Sequence, residues 1–300
     1  MGQDFQQTDG PKGLDGLRAK IDAIDDALLD LLVHRADISV AIAKVKQGSA
    51  PRVKASAFRP AREALILRRL LARRRGNLPA TVVVRIWREI IAASLHAQDN
   101  FAVHALADDT QRGFLDLAHA YFGAQTLVRT HARASLVVTA CNEEPNAIGI
   151  VPLPQAEEAG LPWWSRLAPA GQPGPRIIAK LPFLTDEDDS QTNGLAIAAV
   201  EQEPTGDDTT YLRVETAPGL SRGTLNTMIN EAGFEARFVS ASRAAGGGNS
   251  QVLLAAQGFV AGNDPRLAVL RANDDDAILH IDPVGGFANP VLTKISGKAP

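Results

Sequence analysis

The sequence contains little cysteine, few aromatic residues and no long apolar run. Among its 300 residues there is one cysteine, Cys141, which excludes an intramolecular disulfide framework and a cysteine-rich zinc site. No apolar run approaches the roughly 18 residues that a membrane span requires. The polar N-terminus has no apolar segment typical of a secretory signal. These absences predict a cytoplasmic protein without a membrane partner.

Strong net charge and metal-binding patterns are also missing. The formal net charge is −3, which is too small to indicate a nucleic-acid-binding protein. The six histidines are not grouped at the spacing of metal ligands, and we expect each to be a surface or capping residue. No metal and no cofactor is therefore expected. Aromatic residues make up 5% and hydrophobic residues 45% of the chain, so the cores should be mostly aliphatic.

A long helix is predicted near the N-terminus, after a lead-in of residues 1–12 that we expect to be disordered. Residues 14–47 contain no proline, and apolar residues recur at steps of three and four, which is typical of one helix face. At 1.5 Å per residue the helix is roughly 45–50 Å long, so it needs other helices or a second chain as a partner. The face consists of Leu17, Ile21, Ile24, Leu28, Leu31, Ile38, Ile42 and Val45.

Two further helices are predicted after a breaker-rich loop at residues 48–58. Pro60 suits the first turn of a short helix that runs to about Arg75, where a Gly-Asn pair ends it. Pro79 opens a third helix that runs to about Gln98. The first hundred residues therefore predict a three-helix unit. The apolar side of the third helix consists of Val83, Trp87, Ile90, Ile91 and Leu95.

The remaining chain alternates between strand and helix patterns. Residues 101–200 predict an α/β region with short strands. After a turn at residues 203–208, the order strand, helix, strand, strand, helix, strand is typical of a ferredoxin-like fold. The predicted fold class is α+β multidomain, with an all-α three-helix unit at 13–99, a reduced α/β lobe at 100–203 and a ferredoxin-like βαββαβ domain at 204–290. The first strands are predicted at Phe101–Leu106, Thr126–Arg129, Ala147–Val151, Ile177–Leu181 and Leu195–Val200, with a helix at Arg112–Phe122.

Several polar residues occupy positions where the helix patterns require apolar ones. Arg35 interrupts the apolar face of the long helix, and burying a guanidinium without an anion is costly. Lys46 lies about three turns further on near the same face, and Arg18 lies beside that face at the other end. On the third helix, Ser94 and Gln98 fall in phase with the apolar side and form an i,i+4 pair.

The second helix begins with two cations and a carboxylate, at Arg59, Arg62 and Glu63. Together with the polar residues of the other helices, they predict a positively charged pocket for a small dianion that carries a hydroxyl or ether oxygen. Chemistry in such a pocket would depend on positioning and electrostatic stabilisation. The alternative is that each residue is an ordinary surface or ion-paired residue, which is the commoner role of a single arginine on a helix.

Residues 14–98 resemble the all-helical chorismate mutases, especially those fused to prephenate dehydratase. The matching segments are LDGLRAKIDAIDDALLDLLVHRADISVAIAKVK, RPARE and IWREIIAASLHAQ. The resemblance implies an isomerase that converts chorismate to prephenate in aromatic amino-acid biosynthesis. It also implies a homodimer in which the partner chain supplies Arg18 to each site.

The resemblance assigns roles to individual residues. Arg18 and Arg35 would bind the substrate carboxylates with help from Ser94, and Lys46 and Gln98 would face the ether oxygen whose C–O bond breaks. The remaining three residues belong to the second helix. Glu63 would accept a hydrogen bond from the ring hydroxyl with Arg62 beside it, and Arg59 is a further candidate for substrate binding.

The C-terminal two thirds resemble prephenate dehydratase more weakly, through AIGIVPLP at 147–154 and an ACT-like final stretch. The dehydratase motif Thr-Arg-Phe is replaced by Thr192-Asn193-Gly194, and the ACT motifs that bind phenylalanine are replaced by residues 222–225 and 240–243. About 100 residues separate Phe101 from the ACT-like start, which leaves room for only part of a two-lobed catalytic unit. We therefore expect dehydratase activity to be absent and phenylalanine sensing to be weak or lost.

Two alternatives remain open from the sequence. One is a bifunctional chorismate mutase-prephenate dehydratase with an unusually reduced catalytic lobe. The other is a non-catalytic regulator or docking partner of another aromatic-pathway enzyme.

Overall fold

The computed structural model describes residues 13–48, 57–98, 100–107, 113–156, 161–186, 192–243, 248–272 and 277–293. The predicted lead-in, residues 1–12, and residues 49–56 of the predicted loop at 48–58 lie outside these ranges. The chain divides into two compact units, residues 1–55 and 56–300.

The first unit contains one long helix, α1 (Leu14–Gly48). Its 35 residues extend about 52 Å at 1.5 Å per residue, which confirms the predicted long helix. The apolar face predicted from the sequence is solvent-exposed, and its eight side chains are between 48% and 71% accessible. In proteins most helical stability comes from the packing of such an apolar face.

The second unit begins with two helices, α2 (Pro60–Arg73) and α3 (Ala80–His96). Pro60 lies in the first turn of α2 and Pro79 caps α3, as the sequence predicts. Helix α2 ends near a left-handed turn in which Gly76 has a φ of +66°. Both helices pack against the sheet region through a small apolar cluster that includes Ala64, Leu67, Trp87 and Phe183.

Nine strands of the described residues form one mixed sheet, in the order β2-β1-β3-β6-β4-β10-β7-β9-β8. At one end β1 is parallel to β2 and β3, and β6 is antiparallel to β3 and β4. At the other end all neighbours from β10 to β8 are antiparallel. A separate parallel pair joins β5 (Leu184–Asp186) to β11 (Val291–Thr293). The nine strands are β1 (Val103–Leu106), β2 (Val128–His131), β3 (Ile148–Pro152), β4 (Arg176–Leu181), β6 (Gly194–Ala198), β7 (Asp208–Thr216), β8 (Ala236–Arg243), β9 (Ser250–Gln257) and β10 (Ile278–Ala288).

Helices cover both faces of this sheet. Helix α4 (Gly113–Phe122) packs through Phe114 and Ala118 on one face, and α5 (Ala134–Glu143) packs through Val137 and Cys141 on the other. Helices α6 (Arg222–Glu231) and α7 (Pro265–Arg271) complete the predicted βαββαβ order with β7 to β10. The sequence missed α5 and a short 3₁₀ helix at Trp163–Arg166.

The α/β region and the βαββαβ region share the sheet, because β10 pairs with β4 as well as with β7. At the junction Gly285 has a φ of +100°, and a Cβ there would lie 2.1 Å from the carbonyl oxygen of Ile177. Only glycine allows the two backbones to approach this closely. The predicted domain limits at 13–99, 100–203 and 204–290 stay predictions, since one sheet extends across the last two ranges.

Candidate functional site

The long helix carries three of the predicted substrate-binding cations. Arg18 is exposed, and its Nη1 lies 3.2 Å from Oδ1 of Asp15. Arg35 is half-buried, and burial lowers the pKa of its guanidinium. Lys46 belongs to the last turn of α1, but its side chain lies outside the described part of the structure.

The three predicted residues at the start of α2 have different environments. Arg59 is partly exposed, and its Nη2 donates to Oε1 of Glu203 at 2.7 Å. Arg62 is exposed to solvent. Glu63 is instead buried, at 7% accessibility, and its Oε2 accepts a hydrogen bond of 2.8 Å from Nη1 of Arg88.

The two predicted residues of the third helix are both half-buried. The hydroxyl of Ser94 donates to the carbonyl oxygen of Ile90, one turn earlier, at 2.9 Å. Gln98 lies in the turn after α3, and its backbone N–H donates to the carbonyl oxygen of Leu95 at 3.0 Å.

Sequence reasoning missed a buried polar cluster made of Glu63, Arg88 and Tyr121, one residue from each of α2, α3 and α4. The Arg88 side chain is 5% accessible, and its guanidinium carbon lies 3.7 Å from the centre of the Tyr121 ring. The Tyr121 hydroxyl hydrogen-bonds the Glu63 carboxylate. Arg88 lies one turn after Val84 on the buried side of α3. A cation at a helix position that faces the core was the sequence feature that could have revealed this cluster.

Burial and charge act against each other at Glu63. Burial raises the pKa of this carboxyl above its ordinary value, while the Arg88 guanidinium and the two hydrogen bonds lower it. Burial also raises the pKa of the Tyr121 hydroxyl, so Tyr121 remains a neutral donor. The cluster therefore contains one fixed cation, one neutral donor and one carboxyl whose pKa is raised from its ordinary value.

A cavity of about 570 Å³ lies beside this cluster, among α3, α4 and the residues around Pro182. Its size is in the range of small-molecule sites. Arg88, Tyr121 and Phe183 form part of its wall, and the other charged residues that line it include Arg85, Glu89 and Asp116. Since these charges have both signs, they do not select a ligand of one charge.

One histidine departs from the expected surface location. His104, on β1, is 1% accessible, and its Nδ1 lies 2.9 Å from Nε2 of His131 on the neighbouring strand. Its Nε2 lies 3.6 Å from a carboxylate oxygen of Glu144. Burial lowers the pKa of His104, and Glu144 opposes that shift.

The described ranges contain no group of three or more His, Cys, Asp and Glu side chains placed to hold a metal ion. Within the same ranges, no helix combines the length and the apolar character that crossing a membrane requires.

Residues 17–99 match the model of the family chorismate mutase type II. The matched residues include helices α2 and α3, most of α1 and every predicted site residue. The chain is also similar to curated proteins.

Two such relatives are bifunctional chorismate mutase/prephenate dehydratases. The protein of Stutzerimonas stutzeri is 28% identical over 151 residues, which cover 49% of this chain and 40% of the relative. That of Pseudomonas aeruginosa is 33% identical over 97 residues, which cover 32% of this chain and 27% of the relative. The chain thus spans less than half the length of the curated relatives that it matches.

Two solved structures are similar to the chain at low identity. Prephenate dehydratase from Streptococcus mutans has a TM-score of 0.41 and 14% identity, covering 65% of this chain and all of that one. Prephenate dehydratase from Arthrobacter aurescens, in complex with L-Phe, has a TM-score of 0.45 and 14% identity, covering 63% of this chain and 92% of that one.

Proposed function

We propose that this protein is a chorismate mutase that converts chorismate to prephenate by a pericyclic rearrangement. The observation that carries the proposal is the family match over residues 17–99, which includes all the cations and hydrogen-bond donors expected of the site. The proposed reaction breaks and forms bonds within one substrate molecule, so it needs no second reactant.

The proposed mechanism uses charge and position. Arg18, Arg35 and Ser94 bind the two substrate carboxylates and favour the compact conformer from which the rearrangement proceeds. As the C–O bond lengthens, the ether oxygen gains negative charge, and donors at Lys46 and Gln98 stabilise it. Each such donor contributes about 2–4 kcal/mol to lowering the barrier. The ring hydroxyl is the remaining polar group of the substrate, and we assign its recognition to Glu63, with the cations Arg62 and Arg59 nearby in sequence.

We propose that the site is shared by two chains of a homodimer. The exposed apolar face of α1 requires a partner, and a second copy offers the same face to it. Arg18 and Arg35 are separated by about 25 Å along one α1 axis at 1.5 Å per residue. One copy of α1 therefore cannot place both guanidinium groups on the same small dicarboxylate, which supports an Arg18 from the partner.

The activity is tested by following chorismate consumption by the full chain. Arg35→Ala should reduce kcat/KM by about 100-fold or more, because it removes a substrate-binding cation. The matched control is Arg73→Ala, an exposed cation in the last turn of α2, which should leave turnover unchanged. A folded dimer that does not consume chorismate contradicts the proposal and favours the non-catalytic regulator.

Sharing of the site is tested by mixing two inactive variants, Arg18→Ala and Gln98→Ala. A heterodimer of these chains has one intact site if Arg18 comes from the partner. Random exchange of subunits should then restore about a quarter of the wild-type activity. If each chain supplies its own Arg18, the mixture stays as inactive as its components.

We further propose that the dehydratase-like region lacks dehydratase activity. A Cβ at Gly194, which stands where the family has phenylalanine, would lie 3.1 Å from the carbonyl oxygen of Val151 and 3.4 Å from the Phe114 ring. A larger side chain at residue 194 would therefore require these neighbours to shift. Incubation with prephenate at neutral pH should yield no phenylpyruvate, and its formation would support the bifunctional alternative.

We propose that the ACT-like region does not bind phenylalanine strongly. The guanidinium carbon of Arg222, in one of the altered motifs, lies 4.0 Å from the centre of the Phe238 ring. The cavity beside this pair, which Leu225 and Leu254 also line, has a volume of only about 30 Å³, far below the roughly 300 Å³ of the smallest usual ligand sites. Titration calorimetry with phenylalanine and tyrosine should show no heat of binding at millimolar concentrations.

A further inference from the structure

The buried cluster of Glu63, Arg88 and Tyr121 connects the chorismate mutase domain to the region that follows it. Glu63 and Arg88 lie within the matched residues 17–99, whereas Tyr121 lies outside them on α4. Arg88 donates to Glu63 at 2.8 Å and stacks on Tyr121. The Tyr121 hydroxyl donates to the same carboxylate. A group from the dehydratase-like lobe therefore contacts a residue to which we assign substrate recognition.

These contacts restrict the orientation of the Glu63 carboxylate. Its side chain is 9% accessible, so the surrounding helices leave it few alternative rotamers. A carboxylate has about four acceptor positions, so the bonds from Arg88 and Tyr121 leave acceptor capacity for a substrate hydroxyl. Two donors on two helices fix the direction of the remaining acceptor position more firmly than one donor does.

We infer that Arg88 and Tyr121 are positioning residues of the mutase site, which hold Glu63 in the orientation that accepts the substrate's ring hydroxyl. This inference rests on the proposed function. On this inference, the region after residue 99 contributes to the mutase reaction without performing any dehydratase chemistry. The lobe contributes one phenol to an active-site carboxylate of the preceding domain.

The arrangement also affects the ionisation of Glu63. The groups that face this carboxyl are the Arg88 guanidinium from α3 and the Tyr121 hydroxyl from α4, and both lower its pKa against the effect of burial. Loss of either group should therefore raise the pKa of Glu63. If the ionised carboxylate is the form that binds the hydroxyl, the acid limb of kcat/KM should move to higher pH in the variants.

The first test compares the full-length chain with its Tyr121→Phe variant, using chorismate between pH 5 and 8.5. Loss of a hydrogen bond to a charged group should reduce kcat/KM about tenfold, mainly through kcat, and should shift the acid limb upward. The matched control is Tyr211→Phe. It removes the same atom from the other tyrosine, which is buried against Phe287, and should change neither quantity.

The second test is a double-mutant cycle with Glu63→Gln. If Tyr121 acts through Glu63, Tyr121→Phe should change kcat/KM by less than about twofold in the Glu63→Gln background. Arg88→Lys retains a cation without the planar guanidinium. It should lower kcat while keeping the acid limb closer to the wild-type position than Arg88→Met does, and it provides the test if Tyr121→Phe fails to fold.

Unchanged kinetics and pH profile in folded Tyr121→Phe would overturn the inference, as would fully multiplicative effects in the cycle. A wild-type chain without chorismate turnover would overturn the proposed function itself, and the inference with it. If the wild-type chain consumes chorismate and Tyr121→Phe has unchanged kinetics and pH profile, the inference alone is overturned.

Discussion

Arg88→Met offers a direct measure of how much the buried ion pair contributes to the native state. The substitution keeps the apolar stem but leaves the Glu63 carboxylate, which is 9% accessible, without its cation. Removing one partner of a buried pair costs about 3–5 kcal/mol. Loss of the guanidinium stack on the Tyr121 ring, at 3.7 Å, contributes up to about 2 kcal/mol of that cost when the site is dry.

The assay is urea unfolding at pH 7.5, followed by circular dichroism at one fixed protein concentration, because dimerisation would make the midpoint depend on concentration. The control is Arg59→Met, at the N-terminal end of α2. The Arg59–Glu203 pair is about 45% accessible at both side chains, so its loss should cost less than about 1 kcal/mol. A double variant, Arg88→Met with Glu63→Leu, should regain most of the lost stability, because it removes the uncompensated charge.

The pH dependence provides a second check on the same variant. Burial already raises the native pKa of Glu63 above 4.5, and loss of Arg88 should raise it further. The carboxyl of the variant should therefore take up its proton at a higher pH in the native state than in the unfolded chain, and the cost of the substitution should shrink as the pH falls from 7.5. If Arg88→Met costs no more than Arg59→Met at pH 7.5, or if its cost is independent of pH, the reasoning about the buried pair is refuted.

Three further predictions concern other buried groups. Burial lowers the pKa of His104 from 6.5, while Glu144 opposes the shift. The urea midpoint of unfolding should therefore decline as the pH falls below about 6.5, and it should decline more steeply in Glu144→Gln. A midpoint that is independent of pH in this range contradicts the prediction. Burial raises the pKa of the Cys141 thiol to about 12, so a thiol reagent at pH 8 should label the chain only as fast as it unfolds, whereas rapid labelling of native protein would show an accessible thiolate. Gly285→Ala should lower the free energy of unfolding by more than about 2 kcal/mol, because its Cβ would meet a strand carbonyl oxygen. Gly206 has a φ of +88° and open space around it, so Gly206→Ala should lower the free energy of unfolding by about 1 kcal/mol. Equal thermal midpoints for the two alanine variants would show that the close approach is relieved.

Long-range periodicity made much of the fold predictable. Helix α1 follows from 34 residues without a proline and one repeating apolar face, and the βαββαβ order follows from the alternation of patterns after residue 208. Helix α5 was missed because its Leu-Val-Val-Thr run has high strand propensity. Packing of Val137, Val138 and Cys141 on the sheet overrides that local preference. Strand β10 continues to Ala288 through Pro283 and the glycine pair at 285–286, although proline and glycine are uncommon inside strands.

The candidate site was predictable only in part. Polar residues that interrupt an apolar helix face, such as Arg35 and Ser94, can be recognised from the helical spacing of the sequence alone. The partner of Glu63 is not, because Arg88 is 25 residues away and Tyr121 belongs to another region. Their contact depends on how three helices pack, and no pattern within a single helix contains that information.

The shared sheet has a consequence for biosynthesis. Strand β4 has β6 on one side and β10 on the other. Because β10 is the last strand of the βαββαβ region, the ribosome synthesises it after the rest of that region. The α/β region cannot complete its hydrogen bonding when its own residues leave the exit tunnel, so its unpaired edge must wait for one of the last strands. Such late, non-local closure slows folding and exposes an aggregation-prone edge in the nascent chain, and a ribosome stalled before Ile278 should present that edge to chaperones.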